Sequence, residues 1–195
     1  KGREGKREEK KKKKKEERER DKEQGLDKTI YANWNAMAIG SLLKASVILD
    51  LPELKVTAME ALTFLLDKLH FETEGMYHYW DGTYHLPGVL SDQTYMIQAL
   101  VLASQFSGDA DLLLPAESMA ELLMKTHRAP GGGFYDLPES VRAVGALRKR
   151  NRSILENAVL AEALLRLSYL SRRDEFREVA AETLLAFTGD YKEYG

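Results

Sequence analysis

The chain has 195 residues, of which 44% are hydrophobic, 9% aromatic and 31% charged, and this composition is typical of a globular domain. It has no cysteine, which excludes disulfides, thiolate metal sites and thiol catalysis within these residues and favours a reducing, cytoplasmic location. No apolar run is long enough to cross a membrane and no signal-peptide pattern is present, so no membrane partner is expected.

Charge divides the chain into two parts. Residues 1–24 hold thirteen Lys and Arg against eight Asp and Glu, whereas the remainder holds sixteen against twenty-three. The first part includes six consecutive lysines, Lys10 to Lys15, and it lacks both an apolar face and aromatic residues for base stacking. We therefore predict a charged, solvated arm or linker at 1–24, without a nucleic-acid partner, followed by one domain at 25–195.

Two kinds of helix alternate within the domain. Helices that are apolar almost all round are predicted at 34–49, 91–106 and 154–170, and amphipathic helices at 53–69, 115–127 and 174–188. The apolar helices align at Asn35, Gln93 and Asn157, which are 58 and 64 residues apart, the length of a helical hairpin plus a loop. The spacing predicts an all-α fold of about three helical hairpins, with the apolar helices inside and the amphipathic helices outside.

Two links between the hairpins have a different character. Aromatic, β-favouring residues flank Asp81-Gly82, which predicts a β-hairpin with a two-residue turn in which His78 pairs with His85. We interpret this histidine pair as cross-strand packing in preference to a proton-transfer site, and two imidazoles are too few for a zinc site. Gly131-Gly-Gly-Phe-Tyr-Asp136 predicts a tight glycine turn before a short extended segment, and no phosphate loop, since no Lys-Ser/Thr follows.

Three segments carry a family resemblance: Asp27-Lys-Thr-Ile-Tyr-Ala-Asn-Trp-Asn-Ala-Met-Ala-Ile39, Pro87-Gly-Val-Leu-Ser-Asp-Gln-Thr-Tyr-Met-Ile97 and Gly131-Gly-Gly-Phe-Tyr-Asp136. They resemble ordered motifs of a family of uncharacterised proteins in which a thioredoxin-like domain precedes an (α/α)6 toroid. The spermatogenesis-associated thioredoxin-domain proteins of animals belong to this family.

The resemblance covers about residues 24–195 and implies an α/α-toroid fragment of the six-hairpin glycosidase type, with small β-hairpin decorations. Three hairpins are half of such a ring, so residues 25–195 are expected to be part of a longer ring, whose open ends a protein partner or self-association would cover. Ala36 departs from the glycine usual in the family, and Ile154-Leu-Glu-Asn157 departs from a Pro-Ser-x-Asn pattern. The thioredoxin-like part has no counterpart in these residues, so no redox role carries over.

The repeat also predicts a cluster of site residues, because the first turns of the inner helices of a toroid line one mouth of its cavity. The predicted ligand-binding residues are Asn33, Trp34, Asn35, Gln93, Tyr135, Asp136 and Asn157. Amides and aromatic faces suit a polyhydroxylated ligand, although Asn and Asp at helix starts also cap their own helices. Asp92 and Glu156 are the candidate catalytic residues, since two carboxylates about 5 to 10 Å apart can act as acid and base on a glycosidic bond.

The leading functional hypothesis is a domain that binds or processes a carbohydrate-like small molecule, without a metal or cofactor. The sequence leaves open whether it is an enzyme, and an enzyme of this kind would be glycosidase-like or sugar epimerase-like. The alternative is a non-catalytic helical module that docks a protein partner or a thioredoxin-like domain.

Overall fold

The computed structural model of the chain describes residues 27–139, 145 and 149–189. The predicted charged arm at 1–24 lies outside these residues. Within them, six α-helices form three consecutive hairpins, as the repeat predicts. They are α1 (Ala32–Ile48), α2 (Pro52–Leu69), α3 (Leu90–Ser107), α4 (Leu113–Thr126), α5 (Ile154–Ser171) and α6 (Asp174–Leu185).

The helices are arranged in two layers. The inner helices α1, α3 and α5 contact one another in that order, and the outer helices α2, α4 and α6 pack on α1, α3 and α5 respectively. The core lies between the layers and along the inner row, where α3 is buried on nearly all sides because it has an inner helix on each flank. The predicted all-α fold of three hairpins, with apolar helices inside and amphipathic helices outside, is therefore confirmed, with helix bounds within a few residues of those expected.

Local sequence explains where several helices begin and end. Pro52 is the first residue of α2 and Pro115 lies in the first turn of α4, where the missing proline N–H costs no helical hydrogen bond. Gly108 follows α3 with a φ of 78°, a left-handed conformation that ends helices at low cost for glycine. A short 3-10 helix, Ala110–Leu112, then leads into α4.

A small antiparallel sheet covers one end of the first two hairpins. Its strands are β1 (Ile30–Tyr31), β2 (His70–Phe71), β3 (Gly75–Trp80) and β4 (Tyr84–Pro87), and β3 pairs with each of the others. A single bridge between Arg128 and Phe134 repeats the β2–β3 arrangement after α4. These segments connect each outer helix to the next inner helix.

The predicted pairing of His78 with His85 is wrong by one residue. Trp80 pairs with Tyr84, and Tyr79 pairs with His85. Thr83 joins the turn because its N–H and its hydroxyl both donate to Asp81 Oδ1, at 3.3 and 3.1 Å, so the loop has three residues. As a result His85 stacks on Tyr79 with ring centroids 4.3 Å apart, and His78 lies on the opposite face of β3.

Candidate functional site

Asp92 and His78 form the central contact of the candidate site. Asp92 is the third residue of α3 and is fully buried, and His78 Nδ1 lies 3.1 and 3.0 Å from its two carboxylate oxygens. The Asn33 backbone N–H also donates to Asp92 Oδ1 at 3.1 Å. The carboxylate therefore joins the starts of α1 and α3 and orients an imidazole supplied by β3.

The environment shifts the pKa of both groups. Burial raises the pKa of Asp92 above the ordinary carboxyl value, although the hydrogen bonds from His78 and Asn33 oppose that shift. The hydrogen bond to Asp92 raises the pKa of His78, against the opposing effect of burial. An ionised Asp92 accepts the Nδ1 proton, so Nε2 is the nitrogen through which a neutral His78 could accept a proton.

Aromatic rings surround the exposed part of His78. Tyr31 lies edge-on to His78 with centroids 5.7 Å apart, and it also contacts Trp34, at 4.6 Å. Trp34 is 62% exposed, which is unusual for so large an apolar side chain. His78, Tyr31 and Trp34 thus form a continuous surface of rings at the start of α1, of the kind on which a sugar ring can stack.

Gln93 and Asn157 lie at equivalent positions of α3 and α5 and hold extended segments in place. Gln93 accepts from the Met76 N–H at 3.0 Å and donates to the Met76 carbonyl at 2.9 Å. Asn157 makes the same pair with Phe134, at 2.7 and 3.0 Å. Both amides are fully buried, and we call this arrangement the amide anchor. The anchor explains both residues without a ligand, and their contact with a ligand stays a prediction.

A glycine precedes each anchored residue for a steric reason. Gly75 and Gly133 have φ values of 75° and 73°, in the left-handed region. A Cβ atom on Gly75 would lie 2.6 Å from Gln93 Oε1, and one on Gly133 would lie 3.1 Å from Asn157 Oδ1. Each glycine therefore lets the strand approach its amide.

Glu156 is the third residue of α5, the position that Asp92 has in α3. Its Oε2 atom is buried and has no hydrogen-bond partner among the described residues. Burial, together with the nearby Glu156 charge, raises the pKa of Tyr95 on α3. Glu156 is thus close enough to α3 to influence it, and its pairing with Asp92 in catalysis stays a prediction.

Tyr135 and Asp136 follow the predicted glycine turn, whose three glycines all have positive φ. The Arg150 guanidinium lies 4.1 Å from the centroid of the Tyr135 ring. The Asp136 carboxylate accepts from the Asn151 N–H at 2.8 Å, and the backbone carbonyl of Asp136 accepts from the Leu90 N–H at 2.9 Å. The segment therefore lies at the start of α3, close to the other predicted site residues.

Asn33 and Asn35 have local hydrogen bonds at the start of α1. Asn33 Oδ1 accepts from the Trp34 N–H at 2.8 Å, and Asn35 Nδ2 donates to the Tyr31 carbonyl at 2.7 Å. Asn35 is exposed, unlike its counterparts Gln93 and Asn157. Asn33 therefore satisfies a first-turn N–H as the capping alternative expects, whereas Asn35 donates to a carbonyl and does not cap the helix.

The sequence argument missed His78 as the partner of Asp92. The sequence did contain a signal for this contact. Gly75-Met-Tyr-His78 and Gly133-Phe-Tyr-Asp136 are corresponding segments of the repeat, and they precede α3 and α5 respectively. The anchored residue is second in each segment, so the fourth residue of each occupies the equivalent place beside an inner helix. Aligning the links as well as the helices would have placed His78 near Asp92.

Two clefts lie away from this contact. One of about 180 Å³ is lined by residues that include Gly88, Gln93 and His127, and one of about 480 Å³ by residues that include Arg128, Gly132 and Glu182. Neither is lined by His78 or Asp92. The candidate site at the start of the inner helices therefore lies outside both of these clefts.

The fold and the position of the site define an α/α-toroid fragment, and solved structures confirm this class. A family 76 glycoside hydrolase from Bacteroides thetaiotaomicron is similar to this chain with a TM-score of 0.70 and 11% identity, over 81% of this chain and 35% of that one. The cellobiose 2-epimerase of Spirochaeta thermophila gives a TM-score of 0.66 and 20% identity, over 82% and 43%. An unsaturated glucuronyl hydrolase from a Bacillus species gives 0.65 and 21%, over 82% and 46%.

These similarities establish the fold, and at such low identity they establish no more. The chain spans less than half the length of each of these three proteins. The sequence matches no protein-family model and no curated protein, so the resemblance to the thioredoxin-fused family stays a prediction. None of the helices in the described part of the chain is both long and apolar enough to cross a membrane.

Proposed function

We propose that this chain binds or processes a carbohydrate-like small molecule at the first turns of its inner helices. The observation that carries the proposal is the contact between buried Asp92 and half-buried His78, beside the exposed ring of Trp34. A paired carboxylate and imidazole can hold or move a proton, and the aromatic surface can bind the face of a sugar ring. The carbohydrate enzymes that share the fold support this choice by analogy.

The roles of individual residues follow from their chemistry. Asp92 would fix the Nδ1 proton of His78, so that Nε2 takes a proton from a sugar carbon or hydroxyl, as in an epimerase. With Glu156 as second carboxylate, Asp92 would instead serve a glycosidase-like reaction. The buried Asp92–His78 pairing favours the epimerase-like version, and Tyr135 and Asp136 would extend the binding surface.

Ligand-observed NMR with cellobiose and with D-mannose tests the proposal. We expect saturation transfer to at least one of these sugars, and its loss in Trp34→Ala with the fold retained by circular dichroism. Tyr169→Ala is the matched control, because Tyr169 is also an exposed aromatic but lies near the other end of an inner helix, α5. Silence from the folded wild-type chain, or equal loss in both variants, would contradict the proposal.

A docking function is the second candidate, because large apolar side chains are exposed on the first and the last of the six helices. Ile48 on α1 and Leu185 on α6 are 80% and 67% exposed. A module of this kind would bind a protein, such as a thioredoxin-like domain, and would give no signal with the sugars. A cytoplasmic location stays a prediction for either function.

A further inference from the structure

One face of α3 is uncovered, although the rest of the helix is enclosed. Helix α3 contacts α1 and α5 on its two flanks and packs on α4, and before its last two residues only four of its residues are not buried. These four are Ser91, Tyr95, Gln98 and Gln105. At roughly 100° per residue they fall within about 80° of the helix circumference, so they form one line, which we call the polar line of α3.

The polar line lies on the inner side of the two layers, opposite the outer helix. Because α3 already has an inner helix on each flank, further hairpins before α1 or after α5 would extend the row of helices and would not lie beside α3. In the α/α-toroid class, the inner side of such a row faces the central cavity. The polar line therefore belongs to the cavity wall.

The side chains of the polar line have unused hydrogen-bonding groups. Within the described residues, none of the four makes a side-chain hydrogen bond, whereas their neighbours Asp92 and Gln93 bond to Asn33, His78 and Met76. The line consists of a hydroxyl, a phenol and two amides, which are neutral groups that can both donate and accept. These are the groups that recognise the hydroxyls of a ligand.

Tyr95 is close to both candidate carboxylates. It lies three residues after Asp92 on the same helix, a spacing that brings two side chains together, with their Cβ atoms about 5–6 Å apart. On the other side, burial together with the charge of Glu156 on α5 raises the pKa of Tyr95. The phenol therefore keeps its proton and can donate it to a ligand held between these two helices.

The counterparts of Tyr95 on the flanking helices are apolar. They are Met37 on α1 and Val159 on α5, neither is fully buried, and Met37 is 38% exposed. A face that only meets solvent would be polar on all three helices. A phenol between two apolar side chains instead provides both surfaces that a sugar needs, one for its C–H groups and one for its hydroxyls.

We propose that Tyr95 and Gln98 are specificity-determining residues that bind the hydroxyl groups of a neutral sugar. This assignment rests on the sugar-binding function proposed above and names the substrate class of that site. The polar line has no cation to pair with a carboxylate or a phosphate group, and the nearby Glu156 charge would repel one. Gln98 lies one turn beyond Tyr95, so the two side chains would contact successive polar groups of the ligand.

Titration by ligand-observed NMR with cellobiose and with D-mannose tests the two residues. We expect Tyr95→Phe and Gln98→Leu each to weaken binding about three- to tenfold, the effect of one lost hydrogen bond. Gln105→Leu is the matched control, because Gln105 is on the same polar line but about 10 Å farther along the helix axis, and it should leave the affinity unchanged. The midpoint of urea unfolding should match the wild type in all three variants.

Cellobiouronate and D-mannuronate, which carry a carboxylate in place of a hydroxymethyl group, test the substrate class. We expect each acid to bind more weakly than its neutral counterpart, and an acid that binds as tightly would overturn the assignment. Wild-type affinity in Tyr95→Phe and Gln98→Leu, or an equal loss in Gln105→Leu, would also overturn it, while sugar binding itself would stand. Silence of the folded wild-type chain with both neutral sugars would contradict the proposed function and this assignment together.

Discussion

His78 illustrates how one neighbour can set the chemistry of a side chain. The same residue type occurs on the same hairpin as His85, which stacks on Tyr79 and bonds to Asp81, whereas His78 bonds to a fully buried carboxylate. Because Asp92 is buried, its hydrogen bond to His78 is poorly screened and affects the pKa of the imidazole. His78 is therefore expected to respond to pH and to mutation through its contact with Asp92.

The raised pKa of His78 predicts a pH-dependent stability. The folded state binds its proton more tightly than the unfolded state, whose pKa is near the reference value of 6.5. The resulting stabilisation is fully present below pH 6.5 and is lost as the pH rises through the folded pKa. The free energy of unfolding of wild type minus that of His78→Gln, from urea titrations, should therefore fall as pH rises above 6.5.

The Asp92→Asn background controls for this result. The hydrogen bond that raises the pKa of His78 is made to the Asp92 carboxylate. When Asp92 is replaced by Asn, the difference in unfolding free energy caused by His78→Gln should therefore no longer change with pH above 6.5. Subtracting the His78→Gln variant also removes most of the contribution of His127, whose pKa burial lowers. A difference that is flat or rises with pH in the wild-type background would contradict the assigned contact.

At the scale of elements, the amide anchors connect each link to the helix that follows it. Gln93 and Asn157 each satisfy a backbone N–H and a carbonyl that are buried with them. An unsatisfied buried polar group costs about 1–3 kcal/mol. The main energetic role of each anchor is therefore to keep the buried backbone N–H and carbonyl of the anchored residue hydrogen-bonded. The anchors therefore fix β3, which carries His78, and the extended segment that carries Tyr135.

We expect Gln93→Ala and Asn157→Ala each to lower the free energy of unfolding by about 2–4 kcal/mol, because two buried backbone groups lose their partners. Asn35→Ala is the matched control from the same position of the repeat, and it should cost less than about 1 kcal/mol because its one bond is exposed. Urea unfolding followed by circular dichroism at a fixed protein concentration measures all three. Equal losses in the three variants would contradict the role of the anchor.

At the scale of the molecule, Arg173 makes an ionic contact between adjacent hairpins. Arg173, just before α6, donates to Glu117 and Glu121 of α4 at 3.0 and 2.6 Å and pairs with Glu175. The group is partly exposed, so its contribution is limited by solvent and salt. It therefore adds a salt-sensitive contact to the apolar packing between the second and third hairpins.

Arg173→Gln is expected to lower the free energy of unfolding by less than about 1 kcal/mol at low ionic strength, and the difference should shrink in high salt. Arg177→Gln is the matched control, because Arg177 pairs only with Asp174 of its own helix among the described residues. Thermal unfolding at two salt concentrations measures the effect. A loss that is independent of salt would mean that Arg173 acts through packing on Phe176 and not through its charge.

Much of the fold was predictable from the sequence, because a helical hairpin has its own hydrophobic period and the period repeats. The inner helices, which contain Asn35, Gln93 and Asn157, are apolar on several sides because an inner helix packs against neighbours on several sides. The alignment of these helices also placed Asp92 and Trp34 at the same end of the molecule. The function of those residues did not follow from the alignment.

The register of the small sheet and the contacts around Asp92 were decided only in the folded structure. The register of β3 with β4 depended on one threonine joining a turn, and that single residue put His78 on the face opposite His85. The burial of Asp92 depended on α1 and β3 together, which both precede α3 in sequence and meet at its first turn in the structure. The sequence by itself determined the repeat and the layers, because these follow from local periodicity. Only the packed structure decided which polar groups share a buried environment, because burial depends on every element that surrounds a side chain.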